Sequence, residues 1–233
     1  YTSVNTLSLH DALPICWTMT DILNLLIGFA MGLNLLALGC SQLSTLIRVI
    51  AIQGIVLGTM TLLLEADNLD WRVVLVAIAL ISVKGIVIPA MLRWAIRATN
   101  IIEREIKSFI GFVPSLLLGA GGTIAAVAWA KSLPLLPEHA GTLLVPGAIA
   151  SLLTGLILLI GRAKAITQVC GYLILENGIF LFGLLLFHST PLLVELGILM
   201  DVTVGVFIIG IIVDRIQRAF DSLDTRKLTT LQE

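Results

Sequence analysis

Runs of roughly 20 apolar residues, separated by short polar stretches, dominate this sequence. Each run is long enough to cross a hydrocarbon core of about 30 Å at about 1.5 Å per residue. In lipid the backbone has to satisfy its own hydrogen bonds, so such runs form helices. The sequence therefore predicts an all-α fold, a polytopic membrane helix bundle in a single transmembrane domain over 19–218. We expect about seven transmembrane helices, at about 22–40, 43–64, 73–96, 109–130, 141–161, 168–187 and 192–213.

The composition excludes several functional classes. Hydrophobic residues make up 58% of the chain and charged residues 12%, whereas a soluble domain carries about 25% charged residues. Too few polar side chains remain to cover a water-facing surface, which excludes a soluble globular enzyme and a disordered chain. A net charge of −1 provides no basic field for nucleic acid. Cys16, Cys40 and Cys170 lie far apart, so we expect no zinc site, iron–sulfur cluster or disulfide framework.

The first residues differ from the rest. TLSLHDALPI, within 1–18, resembles the conceptual translation of a sequencing-adapter remnant. The segment also lacks the basic start, apolar run and small-residue cleavage site of a signal peptide. We treat 1–18 as a non-native segment and expect the native start at Met19. The alternative is an ordinary polar N-terminal arm.

The distribution of lysine and arginine predicts the orientation. One set of connections carries eleven of these residues, at positions 48, 93, 97, 104, 107, 162, 164, 215, 218, 226 and 227. The opposite set carries only Arg72 and Lys131. The positive-inside rule then predicts an N-terminus outside, a C-terminus in the cytoplasm and a cytoplasmic tail at 219–233.

Three ionisable side chains lie near the middle of predicted spans, namely Lys84, Glu176 and Asp201. Each costs about 2.5–3.5 kcal/mol at the centre of a membrane helix unless it has a partner. Their distances from the span ends, roughly 12–18 Å, predict one common layer. Titratable groups that meet within a membrane can pass a proton, so we expect a proton pathway here. The alternative is a static ion pair that fixes helix packing.

Other polar residues could support such a pathway. Tyr172 lies one helical turn from Glu176 and could pass a proton or merely pack. Gln53 and Asn177 are mid-span amides that could order water. Glu195, near the outer end of the last span, could take up protons or act as a solvated cap.

A faint internal repeat suggests a 3+1+3 arrangement of the spans. QGIVLGTMTLLL at 53–64 resembles NGIFLFGLLLF at 177–187, and the fourth span would connect the two triplets. The alternative is that apolar helices resemble one another by composition alone.

The C-terminal third carries a family resemblance. Residues 171–233 contain GY-x-x-x-ENG, then P-x-LVE-x-GI-x-x-D, then LD-x-x-x-LT-x-L. This pattern resembles component E of the hydrogenase-4 and formate hydrogenlyase group, a membrane subunit of complex I-related [NiFe] hydrogenases. Over 165–218 the chain is also similar to the three-helix K subunit of bacterial complex I. That similarity puts Asp201 at the third-helix glutamate of the K subunit, but it puts Leu173, one turn before Glu176, at the second-helix glutamate.

The resemblance implies a non-catalytic membrane-arm subunit in the cytoplasmic membrane of a prokaryote. Antiporter-like subunits would be its partners, and the nickel–iron centre and iron–sulfur clusters would lie in other subunits, with no cofactor in this chain. Two alternatives remain open: a purely structural scaffold subunit with inert buried charges, and a subunit of a cation/proton antiporter complex.

Overall fold

The chain folds into a bundle of α-helices, and the described residues contain no strand. A computed structural model describes residues 19–64, 71–98, 109–133, 141–185, 197, 201, 203–210 and 213. The helices are α1 (Met19–Gly39), α2 (Leu43–Leu64), α3 (Trp71–Ser82), α4 (Ile88–Ala98), α5 (Phe112–Ala130), α6 (Leu144–Gly161) and α7 (Ala165–Leu185). A π-helical turn, Val83–Val87, joins α3 to α4 without a break, so these three segments form one span.

Six of the predicted spans are confirmed, because six helices in the described part are long and apolar enough to cross a membrane. The seventh prediction, 192–213, lies only partly within the described residues, of which 197, 201, 203–210 and 213 are helical. The fifth span begins at Leu144 rather than near 141, because Gly141 has a positive φ of 134° and belongs to a turn. Residues 1–18 and 219–233 lie outside the described residues.

One end of the bundle, which we call the basic side, is held together by Arg162 in the connection between α6 and α7. Arg162 is 1% exposed, and its Nη2 donates a hydrogen bond of 2.8 Å to the carbonyl of Leu38. The guanidinium also lies 4.6 Å from the centre of the Phe112 ring. The end of α1, the start of α5 and the α6–α7 connection therefore meet on one side, as alternating spans require.

On the basic side, burial and the electrostatic interaction between Cys40 and Arg162 shift the pKa values of both side chains. Burial raises the pKa of the Cys40 thiol, between α1 and α2, while the nearby Arg162 charge partly opposes this shift. Burial lowers the pKa of the Arg162 guanidinium, which is nonetheless held charged at neutral pH by its high intrinsic basicity.

At the opposite side Asn24 joins α1 to the start of α6. Its Nδ2 donates to the carbonyl of Gly141 at 3.0 Å, and its Oδ1 accepts from the backbone N–H of Leu143 at 2.8 Å. Together with the contacts of Arg162, these bonds set α1 and α6 side by side and parallel.

Two hydrophobic clusters fill the bundle, one in each half of its thickness. The cluster on the basic side includes Leu38, Leu46, Leu92 and Ile174. The cluster in the other half contains Ile27, Met60, Leu144 and Leu181, among others. Along each of the inner helices α1, α2, α6 and α7 the sequence passes from one cluster to the other. Five buried polar residues lie at this transition, namely Asn34, Gln53, Ser151, Glu176 and Asn177. The fold thus places a polar layer at mid-thickness between two apolar layers.

Candidate functional site

Lys84 enters the polar layer from the π-helical turn of the third span. Pro89 has no backbone N–H and cannot bond to the carbonyl four residues before it, and the preceding Ile88 N–H bonds instead to the carbonyl of Val83, five residues back. A Cβ added to Gly54 of α2 would stand 2.7 Å from the Cβ of Lys84, so the two helices almost touch here. The glycine of α2 therefore lets the lysine backbone approach the bundle centre, and Lys84 is 4% exposed.

Lys84, Glu176 and Asp201 meet in one cluster, which we call the charged triad. The Nζ of Lys84 lies 2.6 Å from Oε1 of Glu176 and 3.5 Å from Oδ1 of Asp201. Glu176 interacts electrostatically with Asp201 as well as with Lys84. Their side chains are 4%, 3% and 7% exposed, and they come from three different spans. The three mid-span charges singled out in the sequence are thus brought together by the fold.

The charged triad has one cation for two acids. In addition, Glu176 Oε2 and Asp201 Oδ1 are buried without a hydrogen-bond partner among the described residues. A buried charge without compensation is expensive, whereas one bound proton on either carboxyl group makes the cluster neutral. The arrangement can therefore hold one proton between the two carboxyl groups.

A second, uncharged row of side chains continues the polar layer, and we call it the amide row. Asn177 Nδ2 donates to Gln53 Oε1 at 3.4 Å, and Gln53 Nε2 donates to Asn34 Oδ1 at 2.7 Å. Asn34 Nδ2 then donates to Ser151 Oγ at 2.9 Å, and that hydroxyl donates to the carbonyl of Gly147 at 2.8 Å. Four helices, α7, α2, α1 and α6, are thereby tied together by neutral groups.

The sequence singled out Gln53 and Asn177 but missed Asn34 and Ser151. A lone amide in an apolar span was the available signal for Asn34. Ser151 gave no signal, because serine in a membrane helix ordinarily bonds to its own backbone. Glu195 lies outside the described residues, so its suggested role stays a prediction.

Two cavities lie along the spans that carry the two acids, and Asp201 is the member of the charged triad that appears in their described linings. One, of about 280 Å³, lies in the basic-side half of the bundle and is lined in part by Tyr172. Tyr172 is half-buried and lies within electrostatic reach of both Glu176 and Asp201. The other, of about 540 Å³, runs along α3 and α4, and Asp201 is the charged residue in its otherwise largely apolar described lining.

Within the described ranges no three His, Cys, Asp or Glu side chains are grouped to hold a metal ion.

Comparisons with known proteins give one long match and several short ones. The chain is 32% identical over 214 residues to the uncharacterized protein Rv0085 of Mycobacterium tuberculosis, covering 90% of this chain and 97% of that protein. Over 85 residues it is 33% identical to hydrogenase-4 component E of Escherichia coli and of Shigella flexneri, covering 36% of this chain and 39% of each component. No protein-family model matches the chain. No solved structure matches it. The resemblance to component E is thus confirmed for part of the chain.

Proposed function

The chain belongs to the family of the Mycobacterium tuberculosis protein Rv0085, and from that premise we propose that it is a non-catalytic, proton-translocating subunit in the membrane arm of a complex I-related [NiFe] hydrogenase. The partial similarity to hydrogenase-4 component E supports the kind of complex. The charged triad supports the role within that complex, and it is the single observation that carries the proposal.

The proton is held by the two carboxyl groups and directed by the lysine. Lys84 lies 2.6 Å from Glu176 and 3.5 Å from Asp201, so one cation faces two acids and a single proton shared between them balances the charge. Moving Lys84 from one acid towards the other favours the proton on the acid that the lysine leaves, because a carboxyl group ionises more easily when the cation is closer. A small displacement of the third span or of the last span would then release the proton from one acid and bind one at the other.

The partners follow from the same proposal. Neighbouring antiporter-like membrane subunits receive or deliver the proton, and hydrogen chemistry takes place at a nickel–iron centre with iron–sulfur clusters in other subunits of the complex. The host membrane is the cytoplasmic membrane of a prokaryote. This chain contributes ionisable side chains, and its own residues form no reaction centre in this scheme.

The test replaces each acid by its amide in the assembled complex. We expect Glu176→Gln and Asp201→Asn to reduce hydrogen-linked proton translocation in vesicles at least about tenfold, because an amide binds no proton at neutral pH. Asp21→Asn, at the start of α1 and far from the triad along the chain, is the matched control and should leave translocation unchanged. Normal translocation in both triad variants would refute the proposal.

A purely structural role is the second candidate, and the short Lys84–Glu176 contact favours it. A buried pair of this geometry can simply fix the packing of two spans. In that case deletion of the subunit prevents assembly, while the two amide substitutions leave proton translocation intact. Measuring subunit content and translocation on the same preparations therefore separates the two roles.

A further inference from the structure

One face of α7 carries a polar stripe that leads from the basic side to the charged triad. Gln168, Tyr172 and Glu176 follow one another at intervals of four residues, so they lie on one face of the helix, about 6 Å apart along its axis. The next two positions on this face are Phe180 and Leu184. Within the described part of α7 the stripe is therefore polar on the basic side of Glu176 and apolar on the opposite side.

A cavity accompanies the stripe over the same half of the bundle. Its volume is about 280 Å³, and Gln168 and Tyr172 line it on α7 while Thr203 lines it from the last predicted span. Since one water molecule occupies about 30 Å³ in the liquid, the space accommodates several. Water in a largely apolar cavity needs polar partners, and these three side chains provide an amide, a phenol and a hydroxyl.

The two ends of the stripe differ in their contacts. At the basic-side end Gln168 Nε2 donates to the carbonyl of Arg162 at 3.1 Å, which ties the stripe to the connection between α6 and α7. At the inner end Glu176 Oε2 is buried and has no hydrogen-bond partner among the described residues. Tyr172 stands between them, within electrostatic reach of Glu176 and Asp201.

We propose that this stripe and its cavity form the route by which protons reach Glu176 from the basic side, with the Tyr172 hydroxyl as the last relay. The route rests on the proposed function of the charged triad. A hydronium ion in the cavity gives a proton to the Tyr172 oxygen while that hydroxyl gives its own proton to Glu176 Oε2. Tyr172 ends neutral as it began, the Glu176 carboxylate becomes a carboxylic acid, and the hydronium ion becomes a neutral water molecule.

The first experiment measures hydrogen-linked proton translocation by the assembled complex in vesicles. Tyr172→Phe keeps the ring and removes the relay, and Thr203→Leu fills the cavity from its exposed wall. We expect each to slow translocation at least about tenfold. Thr123→Leu, on the peripheral α5, is the matched control for added bulk and should have no effect.

The second experiment measures access directly and does not depend on turnover. In a variant with Cys16, Cys40 and Cys170 replaced by alanine, we expect Thr203→Cys to be modified by a membrane-impermeant thiol reagent added to the basic side, and not from the opposite side. Infrared spectra should show slower hydrogen–deuterium exchange of the Glu176 carboxyl group in Tyr172→Phe, an effect that a packing role of the ring does not produce.

The outcomes distinguish a failure of the proposed route from a failure of the proposed function of the charged triad. If Glu176→Gln abolishes translocation while Tyr172→Phe and Thr203→Leu are normal, the route is wrong and the proposed function stands. If Glu176→Gln is also normal, the route is wrong, and if Asp201→Asn is normal as well, the proposed function is wrong too. Modification of Thr203→Cys only from the side opposite the basic side overturns the route whatever the translocation rates are.

Discussion

At the scale of single residues, the charged triad combines a direct ion pair with an imbalance of charge. Lys84 compensates Glu176 at 2.6 Å and only partly compensates Asp201 at 3.5 Å. Removing one member of such a buried group leaves the other charges uncompensated, which costs more than the pair itself contributes. The stability of the bundle should therefore depend on the members of the triad jointly.

We expect Lys84→Met to lower the free energy of unfolding by about 3–5 kcal/mol, because two buried acids lose their cation. Adding Glu176→Leu to Lys84→Met should recover part of that loss, since one uncompensated acid is removed with it. Denaturant unfolding in detergent of both single variants and the double variant measures the coupling. Lys131→Met, at the exposed end of α5, is the control and should have little effect. Additive losses would contradict the coupling.

At the scale of the helices, glycines determine how closely the elements approach. A Cβ on Gly171 would stand 2.7 Å from the backbone nitrogen of Leu159, and one on Gly178 equally close to that of Leu152, so α6 and α7 are in backbone contact. Gly54 likewise allows backbone contact between α2 and the π-helical turn. By contrast, a Cβ on Gly32 of α1 would meet nothing within 4 Å. Glycine is thus required at some crossings and replaceable elsewhere.

Gly54→Ala should destabilise the bundle by about 1–3 kcal/mol, because the added methyl group forces α2 away from Lys84. It should also lower proton translocation, since the same displacement separates Lys84 from Glu176. Gly32→Ala should be neutral or stabilising by up to about 1 kcal/mol, because alanine favours a helix more than glycine does. Thermal unfolding in detergent and translocation in vesicles measure both effects. Equal stability and equal translocation of Gly54→Ala and Gly32→Ala would contradict the close contact between α2 and the π-helical turn.

At the scale of the whole molecule, contacts between distant segments define two sides. Phe109 N donates to the carbonyl of Gly161 at 2.8 Å on the basic side, close to the Arg162 contacts. Asn24 joins α1 to the start of α6 at the other side. These contacts agree with spans that cross the membrane in alternating directions. The count of lysine and arginine predicts which of the two sides faces the cytoplasm.

Cysteine labelling in cells and in inverted vesicles tests the predicted orientation. Ala163→Cys, exposed in the α6–α7 connection, should react with an impermeant maleimide only in inverted vesicles. Lys131→Cys, exposed after α5, should react only in intact cells. Both variants are made with Cys16, Cys40 and Cys170 replaced by alanine. The reverse pattern would invert the molecule in the membrane and make the basic side external.

The sequence by itself determined the membrane spans and the residues that are expensive to bury. Both depend on the transfer of individual side chains into an apolar layer, which is nearly independent of neighbouring helices. That is why six spans, and the choice of Lys84, Glu176 and Asp201 as costly groups, could be read before any contact was known.

Only the tertiary structure decided which of those groups meet. Lys84 and Glu176 are 92 residues apart, and Asn34 and Ser151 are 117 apart, so their contacts depend on how each helix is rotated about its axis. An apolar span has almost no preferred face, so the sequence does not fix that rotation. The helices are turned by close packing at glycines such as Gly54 and by the π-helical turn before Pro89, which together direct Lys84 towards the acids.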